Sequence, residues 1–335
     1  MARLFDVQNL TVSIKKDNRT LKILDNISFT IDEGEILGLA GESGCGKSIT
    51  ALSITNLLPP QIKITNGKII YNNRDLVTLS EKELLGIRGN EISMIFQDVR
   101  QALNPLMKVG SQISEMLEIM EAKEQITKNR EKKVMGKEQK NKNKEMVLEM
   151  LERLGFEKPL MIYETFPHQL SGGMCQRIMT AIAVISNPKF LIGDEPSIAL
   201  DEESQKRCLS LLMDKNRNNG MSLLIISHDL SIIQQYCSRF LIMYAGKIVE
   251  EGPAETLFSP LHPYTKALVN AIPNKEKRGS KLKNISGKVP SIEDQLPGCP
   301  FAPRCTKAQN ICKESFPPDN KTANRKVYCY FPEVL

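Results

Sequence analysis

The stretch GESGCGKS, residues 41–48, follows the short apolar run ILGLA at 36–40 and precedes ITALSITNLLP, whose apolar residues recur at helical spacing. Strand, glycine loop and helix in that order match the phosphate-binding pattern G-x-x-x-x-G-K-[ST]. Gly41, Gly44 and Gly46 let the backbone curl until its N–H groups, that of Ser43 among them, face phosphate oxygens, and the helix start adds its positive end. Lys47 is then placed to reach the β and γ phosphates, and the Ser48 hydroxyl to ligate Mg²⁺.

Outward from this loop, EISMIFQ at 91–97, KFLIGD at 189–194 and SLLIIS at 222–227 have the length and apolarity of buried strands, the last two separated by the helix-like DEESQKRCLSLLMDKNRN. That alternation predicts an α/β chain with a parallel sheet covered by helices. LFDVQNLTVSI and LKILDNISFTI alternate as antiparallel strands do, and FLIMYAGKIVEEG predicts a hairpin turning at Ala245-Gly246. Residues 105–187 are mostly helical in pattern. A lysine-rich segment interrupts them, with nine Lys or Arg and three Glu between Lys123 and Lys144, and reads as a solvated insertion between helices. It carries the whole formal net charge of +6, so the rest of the chain is near neutral and gives no reason to expect a nucleic-acid partner. Residues 273–297 turn polar and read as a linker.

In FLIGDEP an apolar strand ends in Asp194 and Glu195. A strand of this kind sets the first acid near Mg²⁺ and the second where it can polarise an attacking water. Ser227, His228 and Asp229 contain the residue types of a hydrolase triad, but consecutive side chains at a strand end point apart and cannot converge on one reacting atom.

A chain of 335 residues with 41% hydrophobic content can bury one large core and a smaller one. No apolar run reaches 18 residues and the N-terminus lacks a signal-peptide profile, so a cytosolic location is expected. There, eight cysteines point to metal binding or thiol chemistry rather than to disulfides.

Over residues 4–260 the chain resembles the ATP-binding subunits of ABC transporters. LSGGM at 170–174 looks like their signature, Gln97 in IFQD like the Q-loop glutamine, Asp201 in ALD like the D-loop acid and His228 in IISHD like the switch histidine. The resemblance implies a P-loop ATPase with a RecA-like core, an N-terminal antiparallel β subdomain, a helical signature subdomain at about 105–187 and a C-terminal cysteine-rich extension. It also implies that Glu195, His228, Lys47 and Gln97 are catalytic. Gly41, Ser43, Gly44, Gly46, Lys47, Ser48 and Ile49 would bind ATP, and Ser48, Gln97 and Asp194 would hold Mg²⁺. Ser171, Gly172 and Gly173, a second phosphate-binding helix start, would with Asp201 face nucleotide across a head-to-tail dimer.

FQDVRQALNPLMKVG, FPHQLSGGMCQR and HPYTKALVNAIP narrow the resemblance to importers of dipeptides, oligopeptides or nickel complexes. Cys175 departs from the arginine common there, Val99 from a proline, and Ile14 from an aromatic that often stacks on adenine. On this reading residues 1–260 form the nucleotide-binding domain and 261–335 the extension. The partners implied are a second, distinct ABC ATPase, two membrane permeases and an extracytoplasmic solute-binding protein, with this chain peripheral on the cytoplasmic face. A soluble ABC ATPase of DNA repair or translation is the alternative of another class, but neither long heptads nor a second cassette is present. An iron-sulfur assembly ATPase is a third.

The tail holds Cys299, Cys305, Cys312 and Cys329 at spacings x5, x6 and x16. Zinc sites usually show C-x2-C knuckles, whereas four-thiolate iron-sulfur clusters tolerate wider spacing. The resemblance implies a 4Fe-4S cluster, with Zn²⁺ or unliganded thiols as alternatives. Cys45, inside the phosphate loop, marks a possible target of thiol reagents, while Cys175, Cys208 and Cys237 read as packing residues.

Overall fold

The computed structural model describes residues 2–127, 136–272, 285–322 and 324–333. They form two compact units, one of residues 1–79 and 225–335, the other of residues 80–224. In the first unit β1 (Arg3–Lys16) and β2 (Arg19–Asp32) pair antiparallel around Asp17 and Asn18, both at positive φ as a two-residue hairpin turn requires. After β3 (Ile36–Ala40) and α1 (Lys47–Ile54), β4 (Ile62–Tyr71) pairs with β1 on its other side, and β5 (Arg74–Asp75) completes a sheet of order β2-β1-β4-β5. One face is apolar, with Phe5, Val7, Leu24, Phe29 and Ile31 at most 3% exposed, as the period-2 pattern predicts.

The second unit opens with α2 (Glu81–Ile87), where Ser80 and Glu83 form a reciprocal capping box. β6 (Ile92–Ile95), α3 (Val99–Ala102), α4 (Val109–Thr127), α5 (Lys137–Arg153), α6 (Pro159–Tyr163) and α7 (Gly172–Ile185) follow. β7 (Phe190–Asp194) pairs with β6 in parallel, Ile92 opposite Phe190, as the short apolar runs require. Next come α8 (Glu202–Asn219), capped by Asp201 and ended by Gly220 in the left-handed region, and β8 (Ser222–Ile226), which lies beside β7.

The lysine-rich segment is not wholly an insertion between helices. Lys137–Lys144 form the first turns of α5, where Asn143 is buried ahead of Val147, Met150 and Leu151 on the same face, and residues 128–135 lie outside the described residues. Two of the three departures from the resemblance, Cys175 and Val99, are packing positions. Cys175 is 1% exposed with its thiol facing the Pro167 carbonyl, and Val99 opens α3 at 8% exposure.

Back in the first unit, α9 (Leu230–Tyr236) leads to β9 (Arg239–Tyr244), parallel to β3, and β10 (Lys247–Pro253), antiparallel to β9 across the expected Ala245-Gly246 turn. α10 (Pro263–Ala271), α11 (Asn310–Glu314), β11 (Asn320–Thr322) and β12 (Arg325–Val327) belong to the extension, and β12 adds to the free edge of β10, giving the order β11-β12-β10-β9-β3. Of the expected linker, residues 273–284 fall outside the described residues. The remainder is tied to β1 and β2 through Lys16–Glu293 at 2.6 Å and through Gln295 on the backbone of Lys22.

Glu250 of β10 has no exposed surface. Its Oε1 accepts from Arg325 Nη2 at 2.6 Å and from the Leu261 N–H at 2.9 Å, and its Oε2 from the His262 N–H at 2.9 Å. Removing one partner of such a group leaves a buried charge uncompensated. Glu250→Ala is expected to cost about 3–5 kcal/mol in urea unfolding, and Glu250→Leu combined with Arg325→Met to recover only the unpaired-charge part, since the Leu261 and His262 N–H groups still lack an acceptor.

Candidate nucleotide site

In the first unit, β3 is buried at every residue and delivers Gly41 just beyond its C-terminal end. The loop that follows is closely walled, by backbone at Gly41 and by side chains at Gly46. A Cβ at Gly41 would stand 2.1 Å from the Met243 carbonyl oxygen, and one at Gly46, where φ is +113°, would stand 2.6 Å from Leu24. Gly246 N–H donates to the Cys45 carbonyl at 2.8 Å, so the β9–β10 turn fixes the loop from outside. No side chain caps α1, which leaves its first-turn N–H groups for a ligand. Lys47 is 9% exposed, and its ammonium donates to the carbonyls of Gly41 at 2.8 Å and Glu42 at 3.0 Å. Ser43 and Gly44 are exposed, while Ser48 and Ile49 are half-buried on the first turn of α1. This uncapped helix start with a buried ammonium fits a nucleotide phosphate, and Ser48 supplies an oxygen of the kind Mg²⁺ prefers.

Cys45 is 1% exposed and burial raises its thiol pKa, which weighs against the expected sensitivity to thiol reagents. His228, also of the first unit, lies exposed two residues after Ile226. Beside it, Ser227 Oγ accepts from the Asp229 N–H and the Asp229 carboxylate accepts from the Ser231 N–H at the start of α9, so both flanking side chains are engaged by backbone. Ile14, half-buried on β1, brings no ring to an adenine.

In the second unit, Asp194 ends β7 at 3% exposure and Glu195 follows at 8%, with φ of +53°. A non-glycine residue in that region is strained, and such strain concentrates at functional sites. Ser171 caps α7 by accepting the Met174 N–H. A Cβ at Gly173 would come within 3.1 Å of the Ala199 carbonyl oxygen, and Gln176 Nε2 donates to the Pro196 carbonyl at 3.0 Å. The signature helix and the acid-bearing loop are therefore braced together. Gln176 was not singled out by the sequence, where it reads as an ordinary polar residue. Asp201 is exposed and caps α8 through Ser204, whose N–H holds the carboxyl below its usual range. Gln97 is exposed after β6.

The extension reaches the phosphate loop through residues that have no local signature. Tyr264 of HPY is fully buried and its hydroxyl accepts from the Glu42 N–H at 2.8 Å. His262 caps α10, its Nδ1 accepting from the Tyr264 N–H at 3.0 Å. In the tail, the Cys299 N–H donates to the Cys312 carbonyl and the Phe331 N–H to Cys329 Sγ. Burial pushes Cys299 up to about 12 and Cys329 up to about 11. Among the described residues, no three His, Cys, Asp or Glu side chains stand close enough together to hold a metal ion, so the geometry does not carry the expected cluster. Nor does any described helix have the length and apolarity to cross a membrane.

The chain is similar to known proteins. A sequence profile of ABC transporters matches residues 24–198, and one of the oligopeptide/dipeptide transporter C-terminal region matches residues 249–312. The dipeptide transport ATP-binding protein DppD of Bacillus subtilis is 41% identical over 319 residues, 95% of this chain and 91% of its own. The oligopeptide transport ATP-binding protein AppD of the same organism is 39% identical over 99% of this chain and 98% of its own. The ATP-binding cassette MJ0796, solved as a post-hydrolysis dimer with ADP and phosphate, superposes with a TM-score of 0.65 at 26% identity over 75% of this chain and 99% of its own.

His262 is 1% exposed, and burial lowers its pKa from 6.5 to about 3. The folded state therefore holds it neutral while the unfolded chain protonates it, and stability falls as pH drops from 6.5 toward 3, by up to about 1.4 kcal/mol per pH unit. His262→Asn, which keeps a cap for α10, is expected to flatten that slope in urea unfolding series across this window.

Proposed function

The chain belongs to the ATP-binding proteins of ABC transporters, of the dipeptide and oligopeptide kind, and from that premise we propose that its ATP hydrolysis drives import of short peptides through separate membrane permeases. The observation that carries the reading is the uncapped start of α1 behind a closely walled loop with a buried lysine, in a chain matched nearly end to end by peptide-transport ATP-binding proteins. The nickel importer and the non-transport ATPase are not favoured, since the relatives named above are peptide-transport proteins.

On this reading Lys47 and the loop N–H groups take the β and γ phosphates, while Ser48, Gln97 and Asp194 hold Mg²⁺, which supplies charge neutralisation when bound. Glu195 polarises the attacking water and His228 contacts the γ phosphate. Ser171, Gly172, Gly173 and Asp201 meet the nucleotide of a partner ATPase, which we take to be a distinct chain. Residues 1–260 act as the cassette and 261–335 as the extension, peripheral on the cytoplasmic face, with an extracytoplasmic protein supplying the peptide. Glu195→Gln is expected to lower ATP turnover of the assembled transporter at least about a hundredfold while MgATP binding persists; turnover near wild type would remove Glu195 from the reaction.

The 4Fe-4S cluster is part of the proposal, with Zn²⁺ as the alternative. Its support is the presence of four cysteines in the extension, one of which accepts a backbone N–H bond of the kind that tunes cluster thiolates. Anaerobically purified chain is expected to hold about four irons and four sulfides, lost in Cys305→Ser; one zinc without sulfide would replace the cluster by a structural clip.

A further inference from the structure

Glu42 poses an electrostatic problem. It occupies the second position of a loop built to receive a polyanion, and its own carbonyl accepts from the Lys47 ammonium. An uncompensated carboxylate there would repel the ligand that the loop N–H groups attract.

The compensation comes from the far end of the chain. Arg304, the residue before Cys305, meets the Glu42 carboxylate fork to fork, Nη1 to Oε2 at 2.7 Å and Nη2 to Oε1 at 3.2 Å. Its other donors are spoken for as well. Nη1 also donates to the Tyr244 hydroxyl at 3.1 Å, Nη2 to the Ile285 carbonyl at 3.1 Å and Nε to the Ser286 carbonyl at 2.9 Å. All five N–H groups of the guanidinium thus have an acceptor, which a lysine could not reproduce. The Arg304 side chain is 4% exposed against 23% for Glu42. Its Cζ lies 5.8 Å from the Tyr244 ring centroid and 6.0 Å from that of Phe301, and Phe301 packs on Tyr264, whose hydroxyl holds the Glu42 N–H. The extension therefore grips Glu42 at both side chain and backbone, through groups too buried to be an incidental surface pair.

We propose that Arg304 is a positioning residue of the ATP site, which neutralises and orients Glu42 so that the phosphate loop can accept a triphosphate. The inference rests on the phosphate-loop assignment. It makes the segment that bears the cysteines a working component of nucleotide binding, because Arg304 is held between the Ile285–Ser286 backbone and the turn that leads into Cys305.

The test is equilibrium binding of MgATP and MgADP to the full chain and to Arg304→Met, Glu42→Gln and the double variant, with Lys47→Ala as control. Arg304→Met is expected to weaken MgATP about tenfold and MgADP less, since repulsion scales with phosphate charge. In the double variant, where the carboxylate is gone, MgATP affinity returns to within about threefold of wild type. A chain that had merely misfolded would not be rescued in this way. Wild-type affinity in Arg304→Met would overturn the proposal. So would an equal loss for both nucleotides that Glu42→Gln fails to repair, which would make Arg304 a packing residue only. Undiminished MgATP binding by Lys47→Ala would instead strike the phosphate-loop assignment and leave the Arg304 pair without a nucleotide to serve.

Discussion

A carboxylate with no exposed surface is costly unless every lone pair is answered, and Glu250 holds the first unit together because its answers come from three places. Arg325 supplies the charge from β12, and the backbone of Leu261 and His262 supplies two N–H donors just before α10. None of these groups is useful to Glu250 unless the extension is in place. The extension is accordingly an integral part of the unit that carries the phosphate loop, not a bead appended to it.

The same constraint gives physical content to HPY. His262 closes the turn after Glu250 and caps α10, the following proline fits the first helical position where no N–H is needed, and Tyr264 points back to Glu42. A loop that must leave most of its N–H groups open for phosphate can spare few to brace itself, here those of Cys45, on the Glu42 carbonyl, and of Glu42, on the Tyr264 hydroxyl. Its bracing comes from neighbours: the Met243 and Leu24 walls, the Gly246 N–H and the Tyr264 hydroxyl.

Much of this was legible locally. The glycine loop, the acid-terminated strand, the hairpin at Ala245-Gly246 and the helix at 202–219 each follow from a period or a turn chemistry contained within a few residues. What escaped was non-local or compositionally masked. Arg304 and Glu42 are 262 residues apart, and Tyr264 and Glu42 are 222 apart, so no window of sequence contains either pair. The first turns of α5 were hidden because their buried position is filled by Asn143, whose polarity reads as solvent-facing until Val147, Met150 and Leu151 extend the stripe. Gln176 escaped for a similar reason, being a buried amide whose partner is a carbonyl in another loop.

The separation of Glu42 from Arg304 also orders events in time. A ribosome adding roughly 5–20 residues per second finishes the phosphate loop on the order of tens of seconds before it supplies the arginine. Until then the nascent loop carries an acid with no cation, and the β10 edge that β12 will cover stands open. A chain cut short by premature termination stays in that condition. Arrival of the distal segment is thus registered at the site where nucleotide would bind, by the charge that Arg304 brings.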